Sequence, residues 1–339
     1  MSRKLRETPQ IWKLASDLGL RPSPDPVSAI LELCQRRIRR IAKEFKCTTL
    51  SDLLNATATV LGTKFAEIRS ESDLAALQEK YLKEGEKRFA ALNQDLGANA
   101  LAITFRLTRK RRWELPFVSV IDCRGERASR SYYSKWHELA HLLTLTDQMR
   151  FSFTRTHTQS DQSKDPEEAL MEVIAGTFGF WGEIAAPKDG RRITFDTIDE
   201  LRARHCPDAS AQASLIGFAG LWPTPCVLVQ AALGLKERDK ALLSQNSFGF
   251  ATAPVPELRA VKVSPNDAAR KAGIVIHQNM RIPKSSVIYR VFSGEVSEGK
   301  AGEDLGVWAT SSGERLADLP VLVEAKRTWG GVQALITPL

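Results

Sequence analysis

The chain has no apolar run approaching the roughly 18 residues of a membrane-spanning helix, so no membrane span is expected. Its first residues, Met-Ser-Arg-Lys-Leu-Arg-Glu, lack the apolar core of a secretory signal, and a cytoplasmic protein is expected. Cysteine is sparse. Cys34, Cys47, Cys123, Cys206 and Cys226 are an odd number, widely spaced and without a Cys-x-x-Cys pair. This pattern argues against a disulfide framework or a cysteine zinc site, and fits reduced thiols that are mostly buried. Internal repeats and low-complexity tracts are absent as well, which excludes solenoid and linker-like architectures. What remains is an ordinary globular composition, 43% hydrophobic and 26% charged over 339 residues, enough for two or three domains. The net charge of +8 is compatible with a nucleic-acid or acidic partner, but many enzymes are as basic.

Histidine is scarce too, with five in the whole chain, yet two of them fall within five residues, in Ser134-Lys-Trp-His137-Glu138-Leu-Ala-His141-Leu-Leu143. On a helix, positions i and i+4 lie one above the other, so His137 and His141 can both direct an imidazole nitrogen at one metal ion. Zinc suits neutral imidazoles and an open fourth position. Glu138 is rotated off that face but is close enough to take a proton from a water activated there, the general-base role of a zinc peptidase. The helix is well signalled. Tyr133, Trp136, Ala140, Leu143 and Leu145 recur at helical spacing, and neither proline nor glycine occurs from Ala128 to Leu145.

Before this stretch the periodicity predicts helices over 9–20, 27–46 and 49–61, a strand over 64–69 and a long helix over 72–96 capped by Ser72. The second helix carries a basic face of Arg36, Arg37, Arg39, Arg40 and Lys43, read as solvated. Strands are expected over 101–107 and 116–121, joined by a turn with a basic tip, Arg109 to Arg112. Residues 146–165 are polar and read as a loop over the site. The next helix starts at Asp165-Pro166-Glu167-Glu168, with Asp165 as N-cap and proline in the first turn. Its Gly176, Gly179 and Gly182 predict close packing against the site helix. Three helices, 197–205, 209–218 and 225–233, make a helical, helix-turn-helix-like segment. After a proline-containing linker, strands are expected over 260–263, 274–276, 286–292, 306–309, 321–325 and 332–336. The expected fold is therefore α+β: a metal-binding domain over 1–187, a helical segment over 188–245 and a small β-rich domain over 246–339.

A hydrolytic zinc site needs a third protein ligand, and two readings compete. Asp147 lies six residues after His141, a spacing that works when glycine turns the chain at 144, where this sequence has Thr144. Leu142, Leu143 and Leu145 favour continuing the helix past that point instead. The alternative is Glu168 on the following helix. Glu172, one turn on, would then support a ligand histidine from behind. His205, Tyr132 and Tyr133 are candidates to steady an oxyanion, with ordinary structural roles favoured for each.

His137-Glu-Leu-Ala-His141 followed by Glu168-Ala-Leu-Met-Glu172-Val-Ile-Ala175 resembles the ImmA/IrrE family of metallopeptidases. Members carry His-Glu-x-Gly-His, then Glu-x-x-Ala-Asn or Glu-x-x-Cys-Asp leading into Ile-Ala-Ala. The resemblance covers about residues 25–235, with specific motifs only around the site. It implies a zincin-like domain with Zn2+ held by His137, His141 and Glu168, and Glu138 as catalytic base. It also implies cleavage of a DNA-binding repressor of helix-turn-helix type in a stress or mobile-element response. Three positions depart from the pattern: Ala140 stands for glycine, Glu172 for Asn or Asp, and Lys135-Trp136 for Leu-Ala, which is expected to reshape the pocket. The reading from a different class is a DNA- or protein-binding regulator whose zinc domain is structural or degenerate. The intact Glu138 argues against it, because a structural site needs no base.

Overall fold

The computed structural model describes residues 8–97, 100–108, 115–145, 152–156, 165–187, 190–236, 239–240, 255–310 and 313–339. The chain is mixed α+β and divides into two compact units, Met1–Ala185 with Arg202–Ala213, and Ala186–Leu201 with Ser214–Leu339. The stretch expected as a separate helical segment, 188–245, is thus shared between the two. Among the described residues no helix is long and apolar enough to cross a membrane.

The first unit opens with helices α1 (Pro9–Asp17), α2 (Pro26–Glu44) and α3 (Leu50–Leu61), followed by strand β1 (Thr63–Ile68). α3 is punctuated at both ends. Thr49 and Asp52 form a capping box, and Gly62 takes the left-handed conformation that stops the helix. The long helix expected over 72–96 is shorter. α4 spans Glu71–Lys83 with Ser70, not Ser72, as its cap, paired with Asp73. The chain breaks at Gly85, at φ 87°, and continues as a 3-10 turn over Lys87–Ala91. Strands β2 (Ala100–Arg106) and β3 (Phe117–Asp122) follow, then α5 (Ser131–Leu143), β4 (Ser152–Thr156) and α6 (Pro166–Gly179).

The four strands form one sheet in the order β1-β3-β2-β4, with β1 parallel to β3 and the other pairs antiparallel. β2 and β3 are therefore interior, and the edges of this sheet are β1 and β4. β4 lies inside the stretch read as an uninterrupted loop, 146–165, and pairs with β2 from Ala100↔Thr156 to Phe105↔Ser152. Residues 146–151 and 157–164, including Asp147 and His157, lie outside the described residues, as does the basic tip Arg109–Arg112.

Alternation along the strands sorts the two faces. Ile103, Phe105, Val118 and Val120 pack with Leu74 and Tyr81 of α4 and with Phe89, Leu92 and Leu96 in an apolar core. Ala102, Ile121 and Cys123 line the opposite face with Phe65, and there Thr104 and Ser119 interrupt the apolar pattern.

In the second unit, α7 (Phe195–His205) and α8 (Ala211–Leu221), each shared with the first, precede strands β5 (Val227–Gly234) and β6 (Glu257–Pro265). Then come α9 (Asp267–Lys271), α10 (Val287–Ser293), β7 (Glu298–Asp304), β8 (Pro320–Thr328) and β9 (Gly331–Pro338), in a sheet ordered β6-β5-β9-β8-β7. Two expectations reverse here. Residues 225–233, read as helix, hold β5, a central strand bonded on both sides that sends Val227, Val229 and Ala231 into the core. Residues 286–292, read as strand, form α10. Its Ser286 caps Ile288 N–H, Gly294 closes it at φ 84°, and Val287, Ile288 and Val291 are buried at helical spacing. Residues 274–276, expected as strand, are irregular, and of the strand expected over 306–309 the structure shows the end of a 3-10 turn, Leu305–Val307, and isolated bridges at Ala309.

Candidate metal centre

The site is built on α5, which lies on the Thr104–Ser119 face of the sheet. Twelve of its thirteen residues are buried. Burying Trp136, Leu139 and Leu143 stabilises this placement by roughly 1.5–3 kcal/mol per side chain. α6 packs antiparallel against it, and small residues set the approach. A side-chain carbon added at Gly179 would stand 3.3 Å from Trp136 Cδ1, and one at Gly176 would stand 3.9 Å from the Tyr133 hydroxyl. The close packing expected is therefore present at Gly179, whereas Gly176 makes only ordinary contact. Two hydroxyls fix the register: Tyr132 donates to the Gly179 carbonyl at 2.7 Å, and Tyr133 to the Glu172 carbonyl at 2.7 Å.

That register brings the first turn of α6 opposite the two histidines. Asp165 caps Glu167 N–H and Pro166 occupies the first turn, as the sequence predicts. Glu168 Oε2 lies 3.4 Å from His137 Nε2, and Glu168 Oε1 lies 3.3 Å from His141 Nε2. All three ligand atoms fall within 4.8 Å of one another. A tetrahedral site with bonds of about 2.0–2.1 Å has ligand–ligand edges of about 3.3–3.4 Å, so the group can hold a metal ion. His137 and His141 are buried, and the Glu168 side chain is 31% exposed, which leaves the group reachable from solvent.

Glu138 does not belong to this group. It is wholly buried, and its two oxygens differ. Oε2 accepts a hydrogen bond of 2.6 Å from the Thr104 hydroxyl. Oε1 has no hydrogen-bond partner among the described residues and sits 3.7 Å from His137 Nδ1. Behind Thr104, the Ser119 hydroxyl lies at 2.6 Å, and Thr63 lies 2.9 Å from Ser119. Sequence reading missed these three hydroxyls. The signal was present, since Thr104 and Ser119 are polar interruptions in strands that are otherwise apolar.

α5 does not continue beyond Leu143, contrary to expectation. Thr144 is its C-cap, its hydroxyl donating to the Ala140 carbonyl at 2.9 Å and lying 3.4 Å from Met171 Sδ. Arg37 reaches from α2 to bond the Leu143 carbonyl, so at least this member of the basic face serves the fold. Arg39 likewise pairs with Glu183 at 2.6 Å. Lys135 does not enter the His137–His141–Glu168 group. Its ammonium lies 2.6 Å from Glu67 Oε1 on β1.

Glu172 is half-buried one turn beyond Glu168, with its backbone carbonyl held by Tyr133. The Tyr132 and Tyr133 hydroxyls both donate to backbone carbonyls. His205 is buried, its imidazole held below the ordinary value by burial and then by Arg204, and it is not one of the clustered residues. No protein-family model matches the chain, and no curated protein matches it significantly.

Proposed function

We propose that the first unit is a zincin-like, zinc-dependent endopeptidase of the ImmA/IrrE kind, with His137, His141 and Glu168 as ligands and Glu138 as general base. The observation that carries this reading is the division of labour around one buried carboxylate. Three groups that can ligate a metal converge, and a fourth group, the acid Glu138, stands beside them outside that set, with one oxygen held and the other left over. A purely structural site has no use for that fourth group. Zinc bound there would supply Lewis acidity to a scissile carbonyl and to water. Glu138 takes the proton of the attacking water on Oε1 and passes it to the leaving amine. The burial of Glu138, His137 and His141 keeps bulk water away from that transfer. Glu172, one turn from Glu168 on the same helix, is proposed to support the ligands from behind.

The substrate proposed is a DNA-binding regulator of helix-turn-helix type, cleaved in a stress or mobile-element response. This follows from the likeness of the two motifs around the site. The reading is tested with the zinc-loaded protein and a peptide library made by tryptic digestion of whole-cell protein, read by mass spectrometry. Cleavage by wild type and none by Glu138→Gln at equal zinc content is expected. An uncleaved library with a fully zinc-loaded protein contradicts it.

A further inference from the structure

The three hydroxyls behind Glu138 have their proton direction fixed by the carboxylate at their end. Thr104 has a single O–H, and it donates to Glu138 Oε2 at 2.6 Å. The bond between Thr104 and Ser119, also 2.6 Å, must then be donated by Ser119. Ser119 has no second proton, so Thr63 donates across the 2.9 Å that separates them. The row thus runs in one sense, Thr63 to Ser119 to Thr104 to Glu138, across strands β1, β3 and β2 onto α5. All four side chains are buried, at 2%, 0%, 0% and 0% exposure, so no competing water reorients them. Aligned donors polarise one another, and each bond strengthens the next.

From this geometry we infer that Thr104, backed by Ser119 and Thr63, is a positioning residue that pins one oxygen of the base and leaves the other for proton transfer. The inference rests on the peptidase reading above and deepens it. A glutamate on a helix has several side-chain torsions, and burial alone does not choose among them. The Thr104 bond removes the freedom to turn, so Oε1 is presented in one place. None of the three hydroxyls belongs to the His137–His141–Glu168 group, so removing one is expected to spare metal binding.

The test uses the full chain with 13C-labelled glutamate carboxyls, the Glu138 resonance being assigned by its absence in Glu138→Gln. Thr104→Val, which keeps the shape and removes the hydroxyl, is expected to move that resonance at unchanged zinc content. On the best-cleaved library peptide it lowers kcat by about tenfold to a hundredfold at constant KM. Thr104→Ser restores the resonance and most of kcat. An unmoved resonance, an unchanged kcat, or a fall in zinc content that accounts for the lost rate overturns the inference. Should Thr104→Val not fold, Ser119→Ala is read in its place. It leaves Thr104 present but takes away its donor, so a resonance shift of the same sign and a smaller fall in kcat are expected, and wild-type values overturn the inference. A zinc-loaded wild type that cleaves no library peptide fails the peptidase reading itself and removes the inference with it. A wild type that cleaves, matched by Thr104→Val, fails only the inference.

Discussion

The ammonium of Lys135 lies 2.6 Å from a carboxylate oxygen of Glu67, joining the site helix to the edge strand of its sheet. It also stands 5.7 Å from the centre of the Phe65 ring, on the same face of β1. The charge two residues before His137 is therefore neutralised against the sheet and does not enter the His137–His141–Glu168 group. Lys135→Met removes one partner of a pair that is mostly out of water. It is expected to destabilise the fold by roughly 2–3 kcal/mol, less than a wholly buried pair would, because Glu67 still reaches solvent. Chemical denaturation checks this, and a variant as stable as wild type contradicts it.

The same pair sets a pH dependence. The hydrogen bond from Lys135, opposed by burial and joined by Arg69, holds the Glu67 carboxyl below its ordinary value of 4.5. A carboxyl lowered on folding contributes stability that is present above its unfolded value and is lost as pH falls through the folded one. Glu67→Gln should therefore be less stable than wild type at neutral pH. It should also lose less stability on acidification from about pH 5 to pH 3. Parallel stability curves for the two proteins would contradict this.

Gly179 is expected to admit no branched side chain. Trp136 Cδ1 would already be 3.3 Å from a Cβ there, so Gly179→Val forces α6 away from α5. A loss of about 1–3 kcal/mol is expected, together with weaker zinc retention, since Glu168 rides on the displaced helix. Stability and zinc content measured on the same sample decide it, and a variant with both unchanged rules out the packing argument.

How much of this was readable from sequence differs by element. His137 and His141 were legible from their spacing, and the start of α6 from an N-cap aspartate and a first-turn proline, but the case for Glu168 over Asp147 leaned on α5 continuing past Leu143, which it does not. α10 was misread because its Val-Ile-Tyr-Arg-Val-Phe run is rich in strand formers, whereas its caps, Ser286 and Gly294, carried the helix signal. β5 was misread for the opposite reason: a central strand is apolar on both faces and loses its alternation. β7 was not anticipated at all, since Glu-Gly-Lys-Ala-Gly-Glu-Asp has no strand-forming side chains and is held by its pairing to β8. The end of α5 depends on Arg37, 106 residues away in sequence, and the orientation of Glu138 depends on strands β1, β2 and β3 together. The first contact leaves no local trace, and the second leaves only the polar interruptions at Thr104 and Ser119, which do not say what they face.

Arg37→Ala tests the first of those distant contacts. It leaves the Leu143 carbonyl without its charged donor at the point where α5 must stop. A loss of about 1.5–3 kcal/mol is expected from a hydrogen bond to a charged group. Arg37→Lys should recover only part of it, because a lysine ammonium carries no planar fork. Equal stability of all three proteins would show that Thr144 ends the helix unaided.

In the second unit, burial pushes the Glu303 carboxyl up, against hydrogen bonds from Val287 N–H and Ser286. A raised folded value means that this group favours folding at low pH and that its contribution is lost as pH rises through the folded value. Glu303→Gln keeps an acceptor oxygen for both donors without the charge. It should stabilise the second unit at neutral pH and lose that advantage in acid. A variant less stable than wild type at neutral pH would show that the charge at the start of α10 outweighs its burial.

Zinc per chain, measured after dialysis against a weak chelator, bears most directly on the metal-centre assignment. Wild type and Glu138→Gln are expected to hold one zinc each, because Glu138 lies outside the His137–His141–Glu168 group. His137→Ala and Glu168→Ala should lose it, Asp147→Ala should keep it, and Glu172→Ala should fall between, with affinity reduced about tenfold to a hundredfold. A wild type that holds no zinc, or a Glu168→Ala that retains it while Asp147→Ala does not, contradicts the account.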